Sequence, residues 1–200
     1  MQKAKYEVPV KLNVDAAPEE GKTIVDARDG DAYKKGHLPN SINIMARSES
    51  DKYETWLGAI IKPNEEFYLV VNSVDQIDEL LERTAKVGYE KQMKGVLTLS
   101  EKVSKSSDDF DLKDFKENKD KYTIVDIRNA GEIAEGKIFE KAKAIPLNEL
   151  RDRADELPED KPFMVHCAGG YRSAAGSSIL ENKFKNTKVY DLSEAIKEFS

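Results

Sequence analysis

The single cysteine of the chain, Cys167, lies between a predicted strand and a predicted helix. An apolar run from Phe163 leads up to it, a glycine-containing loop follows it, and residues 174–182 have the composition of a helix. A loop that ends at a helix N-terminus presents several backbone N–H groups to one point, with the positive end of the helix dipole behind them. Such a nest stabilises a thiolate. The pattern therefore predicts a nucleophilic cysteine.

The length of the loop indicates which chemistry this cysteine performs. Protein tyrosine phosphatases separate their cysteine from an arginine by five residues, which makes a loop wide enough for phosphate. Only four residues separate Cys167 from Arg172, and the smaller ring suits a sulfur atom bonded to the cysteine. With this spacing and its strand–loop–helix setting, the segment 167–173 resembles the active-site loop of the rhodanese (sulfurtransferase) family.

The resemblance implies a role for each loop residue. Cys167 is expected to attack the outer sulfur of a donor, to carry it as a persulfide and to pass it to a second thiol or to cyanide. Arg172 is expected to supply a fixed positive charge and to help position an anionic donor. Ser173 is predicted to be the N-cap of the following helix. The loop residues expected to bind the persulfide or the substrate are Ala168, Gly169, Gly170, Tyr171 and Ser173.

The rim of the loop bears on the choice of donor. Ala168, Gly169 and Gly170 are small and uncharged, so we expect an open mouth without a second cation. Such a mouth should admit a bulky donor such as glutathione persulfide at least as readily as thiosulfate.

An internal repeat indicates that the chain has two related halves. The sequence TIVDAR at 23–28 recurs as TIVDIR at 123–128, and each copy is followed by a helix-like stretch, a glycine (Gly36 or Gly136) and an extended segment. A period near 100 residues suits one small domain per copy. We therefore predict domains at 1–105 and 106–200.

The segment between the two copies is predicted to be the joint. Residues 100–111 are polar and break the apolar periodicity on both sides. In each half, short apolar runs such as 67–71 alternate with helix-like stretches such as 77–86, which indicates parallel strands covered by helices. We predict an α/β fold with two rhodanese-like domains in tandem, each a small parallel sheet with helices on both faces.

An Asp-x-Arg triplet ends the first predicted strand of each copy. Its residues are Asp26 and Arg28 in the first copy, and Asp126 and Arg128 in the second. Because the triplet occurs in both copies, including the one without a cysteine, we interpret it as a structural ion pair or loop anchor rather than a catalytic pair.

The first copy lacks the residues that the chemistry needs. Leu97 and Leu192 occupy matching positions further along the two copies. Counting back from them places Asn72 opposite Cys167 and Ile77 opposite Arg172. An amide side chain has no nucleophilic state at neutral pH, and an isoleucine cannot hold an anion. Domain 1–105 is therefore predicted to be catalytically silent.

The resemblance spans residues 7–199 and extends to the tandem arrangement. A silent first domain followed by an active second one is similar to the two-domain thiosulfate or mercaptopyruvate sulfurtransferases. It is more similar to the C-terminal rhodanese pair behind a metallo-β-lactamase-fold persulfide dioxygenase in some bacterial proteins. This implies a fragment or a free-standing version of such a fusion, with a persulfide dioxygenase domain as a partner.

Composition narrows the remaining classes. Hydrophobic residues make up 39% of the chain, and no apolar run approaches the length of a membrane span. The N-terminus lacks an apolar signal region, and one cysteine cannot form an internal disulfide, so we expect a cytoplasmic protein. Charged residues of mixed sign, with a net charge of −6, do not favour nucleic acid. Two histidines are too few for a dioxygenase metal centre, and no cofactor is expected.

Two histidines could take a catalytic role, but each is interpreted as structural, and two alternative functions stay open. His37 is interpreted as a hydrogen-bonding turn residue. His166 should point away from the side of Cys167, because side chains alternate along a strand, and is interpreted as a packing residue rather than a general base. The chain could be a sulfur-carrier module that docks a partner protein. It could also be a Cdc25-like phosphatase or arsenate reductase, which the short loop disfavours.

Overall fold

The computed structural model describes residues 18–99 and 105–199. The chain divides into two compact units, Met1–Ser106 and Ser107–Ser200, called unit 1 and unit 2 below. The first part of the predicted joint, 100–104, and the start of the family resemblance, 7–17, lie outside the described residues.

The described part of unit 1 contains four strands and three α-helices. In chain order they are β1 (Thr23–Asp26), α1 (Gly30–Lys35), β2 (Ser41–Asn43), α2 (Tyr53–Ile60), β3 (Phe67–Val71), α3 (Ile77–Lys86) and β4 (Met93–Thr98). A 3₁₀ turn, Val74–Gln76, leads into α3. The predicted strand at 67–71 and the predicted helix at 77–86 are confirmed.

The described part of unit 2 contains four strands and four α-helices. They are α4 (Leu112–Glu117), β5 (Thr123–Asp126), α5 (Ala130–Glu135), β6 (Lys143–Ala144), α6 (Leu147–Arg153), β7 (Phe163–His166), α7 (Tyr171–Lys183) and β8 (Val189–Asp191). The 3₁₀ turns of this unit are Lys119–Lys121, Ala154–Glu156 and Ser193–Glu198.

Each unit is built on a four-stranded sheet. The strand orders are β2-β1-β3-β4 and β6-β5-β7-β8, and every pairing between these strands is parallel. The central strands read as continuous apolar runs because helices flank the sheet, and residues such as Val25 and Val125 are completely buried. The predicted α/β class with one parallel sheet in each half is confirmed.

The register of the central strands shows which residues of the two units correspond. In unit 1, Asp26 of β1 lies opposite Val70 of β3. In unit 2, the matching Asp126 of β5 lies opposite His166 of β7. The residues that follow these two partners are therefore structural equivalents.

Cys167 thus has Val71 as its counterpart, and the prediction that Asn72 occupies the cysteine position is wrong by one residue. The cause is an irregularity in β4, where Phe67 pairs with Met93 but the next residue pairs with Gly95. One extra residue sits in β4 at this point, as in a β-bulge. Counting back through an insertion of this kind shifts every earlier residue by one.

Candidate active site

Cys167 is the first residue after β7, and it is enclosed by the loop that follows. The residue is 1% exposed, and its Sγ accepts a hydrogen bond from the backbone N–H of Gly170 over 3.1 Å. On the rim, Ala168 and Gly169 are exposed. A donor must therefore reach the sulfur past two small residues, on a loop that already directs one amide at it.

Gly170 shapes this loop and must be glycine for two reasons. Its φ of 93° lies in the left-handed region that residues with a Cβ rarely adopt. A Cβ at this position would also lie 2.7 Å from backbone atoms of Ser193 and Glu194, which form the turn after β8. The loop is thus held against a neighbouring turn through a contact that only glycine permits.

The helix after the loop starts earlier than predicted. α7 begins at Tyr171 with Gly170 as its N-cap, so the prediction that Ser173 caps the helix is wrong. The left-handed conformation of Gly170 turns the chain into the helix before Ser173 is reached. Ser173 is buried inside the first turn, and its hydroxyl donates to the Gly170 carbonyl over 3.0 Å. Arg172 therefore also belongs to the first helical turn.

Arg172 is held by a carboxylate that the sequence reasoning missed. Its two terminal nitrogens donate to the two oxygens of Glu132, NH1 to Oε2 over 2.5 Å and NH2 to Oε1 over 2.6 Å. Glu132 lies in the first turn of α5, where it also accepts from the backbone N–H of Asn129 in a capping box. An N-x-x-E signature before a helix was visible in the sequence. That it would also hold the loop arginine was not.

The charges of this pair stabilise each other. The Arg172 guanidinium holds the pKa of Glu132 at about 2, so the carboxylate is ionised throughout the neutral range. The pKa of Arg172 is raised chiefly by its hydrogen bonds to Glu132, with a smaller contribution from its interaction with the nearby Cys167, while burial opposes the shift. The guanidinium therefore lies close enough to the cysteine for the two charges to interact.

The Asp-x-Arg triplet forms the same ion pair in each unit. In unit 2, the NH2 of Arg128 donates to Asp126 over 2.7 Å and to the carbonyl of Gly136 over 2.9 Å. In unit 1, the equivalent Arg28 donates to Asp26 and to the carbonyl of the glycine after α1, both over 2.7 Å. The arginine thus ties the end of the first strand to the end of the helix that follows it, which is the geometry of an anchor.

The side chain of His166, the last residue of β7, lies in the core of unit 2. Its completely buried ring lies edge-on against Phe139, with the centroids 5.1 Å apart. Nδ1 lies 3.3 Å from the Cys167 carbonyl, and Nε2 lies 3.8 Å from an oxygen of Asp126. Burial lowers the pKa of His166, against the attraction of Asp126, so the ring is neutral at pH 7. These contacts support the packing interpretation. His37 likewise bonds to backbone, with Nδ1 3.0 Å from the Tyr33 carbonyl.

The equivalent loop of unit 1 is organised differently. Val71 replaces the cysteine, and the offset that relates the two strands brings Gln76 opposite Arg172, in place of the predicted Ile77. The backbone N–H of Asn72 donates to the side-chain carbonyl of Gln76 over 3.2 Å. Ala32 stands where unit 2 has Glu132. Cysteine, arginine and carboxylate are therefore all replaced together.

Comparison with known proteins identifies the family. The rhodanese-like domain family matches residues 12–97 and 111–200. Because these matches cover most of the chain, the chain belongs to the rhodanese-like domain family, with two such domains in tandem. Among the described residues, no helix is long and apolar enough to cross a membrane.

Individual relatives and solved structures match different shares of the chain. The uncharacterized protein YqhL of Bacillus subtilis is 32% identical over 79 residues, which cover 40% of this chain and 61% of YqhL. A rhodanese-related protein of Thermoplasma volcanium is 35% identical, over 40% of this chain and 79% of that chain, with a TM-score of 0.35. The 3-mercaptopyruvate sulfotransferase SseA of Escherichia coli is 15% identical, over 84% and 91%, with a TM-score of 0.36.

Proposed function

We propose that this chain is a sulfurtransferase that carries sulfane sulfur on Cys167. The observation that carries the proposal is the Gly170 N–H directed at Sγ, 3.1 Å away, at the start of α7. An N–H fixed in this position stabilises negative charge on the sulfur, both in the thiolate and in a persulfide. Membership of the rhodanese-like domain family supports the same chemistry.

The first half-reaction loads the cysteine. The Cys167 thiolate attacks the outer sulfur of thiosulfate and forms a new S–S bond. The old S–S bond breaks, and sulfite leaves with its electron pair. With a glutathione-type persulfide, the same attack releases glutathione. The product in both cases is a Cys167 persulfide, whose terminal sulfur lies at the mouth of the loop.

The second half-reaction removes the terminal sulfur from the Cys167 persulfide. Cyanide or a thiolate attacks the terminal sulfur, and the S–S bond to Cys167 breaks. Thiocyanate or a new persulfide leaves, and the Cys167 thiolate is regenerated. No electron acceptor is needed, because the sulfur is transferred without net oxidation. Arg172 keeps a positive charge beside the sulfur throughout, since its pKa is raised by Glu132 and by the charge on the cysteine.

The proposal is tested by mass spectrometry together with an assay of sulfur transfer. The purified chain is incubated with thiosulfate or glutathione persulfide, and the peptide that contains Cys167 should gain the mass of one sulfur atom. Added cyanide should remove that sulfur and release thiocyanate. Hydrolysis of p-nitrophenyl phosphate without sulfur loading would instead favour the phosphatase alternative. Loading that neither cyanide nor glutathione can reverse would favour relay to a protein acceptor, such as a persulfide dioxygenase domain.

A further inference from the structure

The pair formed by Glu132 and Arg172 bears on the choice of sulfur donor. Both terminal nitrogens of Arg172 are engaged by the Glu132 carboxylate, at 2.5 and 2.6 Å. A guanidinium uses these same nitrogens when it grips an oxyanion at two points. An incoming thiosulfate would therefore have to compete with Glu132 for the only cation among loop residues 168–173.

Two ion pairs lie beside the loop, and each is neutral as a pair. Arg172 is matched by Glu132, and Arg128 is matched by Asp126 through a 2.7 Å contact. The side chains of both arginines are largely buried, 13% and 8% exposed. A thiolate or persulfide on the cysteine adds one negative charge beside these two neutral pairs, and that charge opposes anionic donors in proportion to their own charge.

We propose that Glu132 is a specificity-determining residue, which acts through Arg172 and disfavours doubly charged donors such as thiosulfate relative to singly charged sulfane donors. The inference rests on the proposed sulfurtransferase function. The pair is absent from unit 1, where Ala32 matches Glu132 and loop residues 72–77 contain no arginine, and this supports a link to the chemistry rather than to the fold.

Two donors that differ by one charge provide the test. Thiosulfate is a dianion and methanethiosulfonate is a monoanion, and both offer a terminal sulfane sulfur. Attack by the thiolate releases sulfite from the first and methanesulfinate from the second, with the same S–S bond formed. KM and kcat for both donors, with cyanide as acceptor, are measured for the wild type, Glu132→Gln and Glu149→Gln.

Glu132→Gln removes the charge and keeps one of the two contacts to Arg172. The glutamine carbonyl can take the place of Oε2, which accepts from Asn129 and from NH1 of Arg172, whereas the amide NH2 group replaces Oε1 and cannot accept from NH2 of Arg172. Glutamine serves the same position in a capping box and still offers one oxygen to Arg172. Glu149→Gln is the matched control, because Glu149 also pairs with an arginine, Arg153, over 2.6 Å on another helix of unit 2. The control changes the net charge of the protein by the same amount without touching the loop.

We expect Glu132→Gln to lower the KM for thiosulfate about tenfold and that for methanethiosulfonate about threefold, because a dianion senses the removed charge twice as strongly. Glu149→Gln should leave both values unchanged. An equal fall in kcat for both donors, or no change in the KM ratio, would show that Glu132 only positions the arginine and would overturn the inference.

A measurement on the wild type covers the case in which the variant fails to fold. Added salt should reduce the ratio of the KM for thiosulfate to that for methanethiosulfonate, because counter-ions screen the Glu132 carboxylate, which is one-third exposed. A ratio that does not respond to salt would also contradict the inference. Failure of the proposed function looks different: the wild type would then transfer sulfur from neither donor, and no sulfur would be found on Cys167.

Discussion

The loops after β3 and after β7 occupy equivalent positions in two units with the same strand order, and they differ in every residue that matters for the chemistry. In unit 2, the N–H of Gly170 points at the sulfur of Cys167. In unit 1, the N–H of Asn72 points at the side chain of Gln76. The backbone N–H of Gln76 likewise donates within the loop, to the Ser73 carbonyl over 3.2 Å, and the loop contains no glycine.

The two units share a feature at the end of the strand next to the one that carries the loop. The ion pair at the end of the first strand, with its bond to a glycine carbonyl, is present in both, at Asp26 and Arg28 and at Asp126 and Arg128. The same ion pair thus accompanies both sheets, whereas the loop residues differ between them. This difference supports our interpretation of the pair as a structural anchor rather than a catalytic pair.

The largest effect is expected from Cys167→Ser. A serine hydroxyl is not ionised near neutral pH and cannot form a persulfide, so sulfur transfer should fall by at least about a thousandfold. The swap is nearly isosteric, so the free energy of unfolding should change by less than about 1 kcal/mol. Thiocyanate formation from thiosulfate and cyanide measures the first effect, and urea unfolding measures the second. Activity within a few-fold of the wild type would remove Cys167 from the mechanism.

Gly170→Ala should damage the loop of unit 2 through its backbone. The left-handed φ and the 2.7 Å approach to backbone atoms of the next turn should together destabilise unit 2 by about 2–4 kcal/mol. Gly169→Ala is the matched control, because a Cβ there meets nothing within 4 Å, and its free energy of unfolding should change by less than about 1 kcal/mol. Thermal unfolding followed by circular dichroism compares the two. Equal stability of the two variants would show that the loop does not adopt this conformation.

Acid should weaken unit 1 through His37. Burial lowers the pKa of His37 in the folded protein to about 4, whereas the ordinary pKa of histidine is about 6.5. As the pH falls below 6.5, the unfolded chain therefore takes up a proton at this residue before the folded protein does. The stability of unit 1 should therefore be complete above pH 6.5 and fall by about 3 kcal/mol between about pH 6.5 and 4.

Trp56, the single tryptophan, reports on unit 1 alone because it lies in α2. Urea unfolding followed by its fluorescence at several pH values should show a shallower pH dependence for His37→Gln than for the wild type. Identical slopes for the two proteins would mean that His37 is not the group responsible.

The scaffold was predictable from the sequence because parallel strands buried on both faces read as continuous apolar runs. The run at 67–71 became β3 without a change of bounds, and the helix at 77–86 became α3. The place of Cys167 in the fold was also predictable, because the apolar run that precedes it became β7 and the loop that follows it contains glycine.

The remaining features of the site could be assigned only from the three-dimensional structure. The extra residue in β4 has no sequence signature, so the equivalence of Val71 and Cys167 emerged only from the strand register. Gly170 and Ser173 both had the residue type of a helix cap, and a close approach to a distant turn favours the glycine. Glu132 lies 40 residues before Arg172, and its second role depends on two helix N-termini that the sheet brings together.

Val71→Cys tests most directly whether the loop, and not the cysteine alone, makes the site. The variant places a second cysteine at the equivalent position, where the side chain is as buried as Cys167, both at 1% exposure. After treatment with thiosulfate or glutathione persulfide, the two cysteine peptides of the same molecule are compared by mass spectrometry. We predict one added sulfur on the Cys167 peptide and none on the peptide with the introduced cysteine. Equal loading of both cysteines would contradict the account.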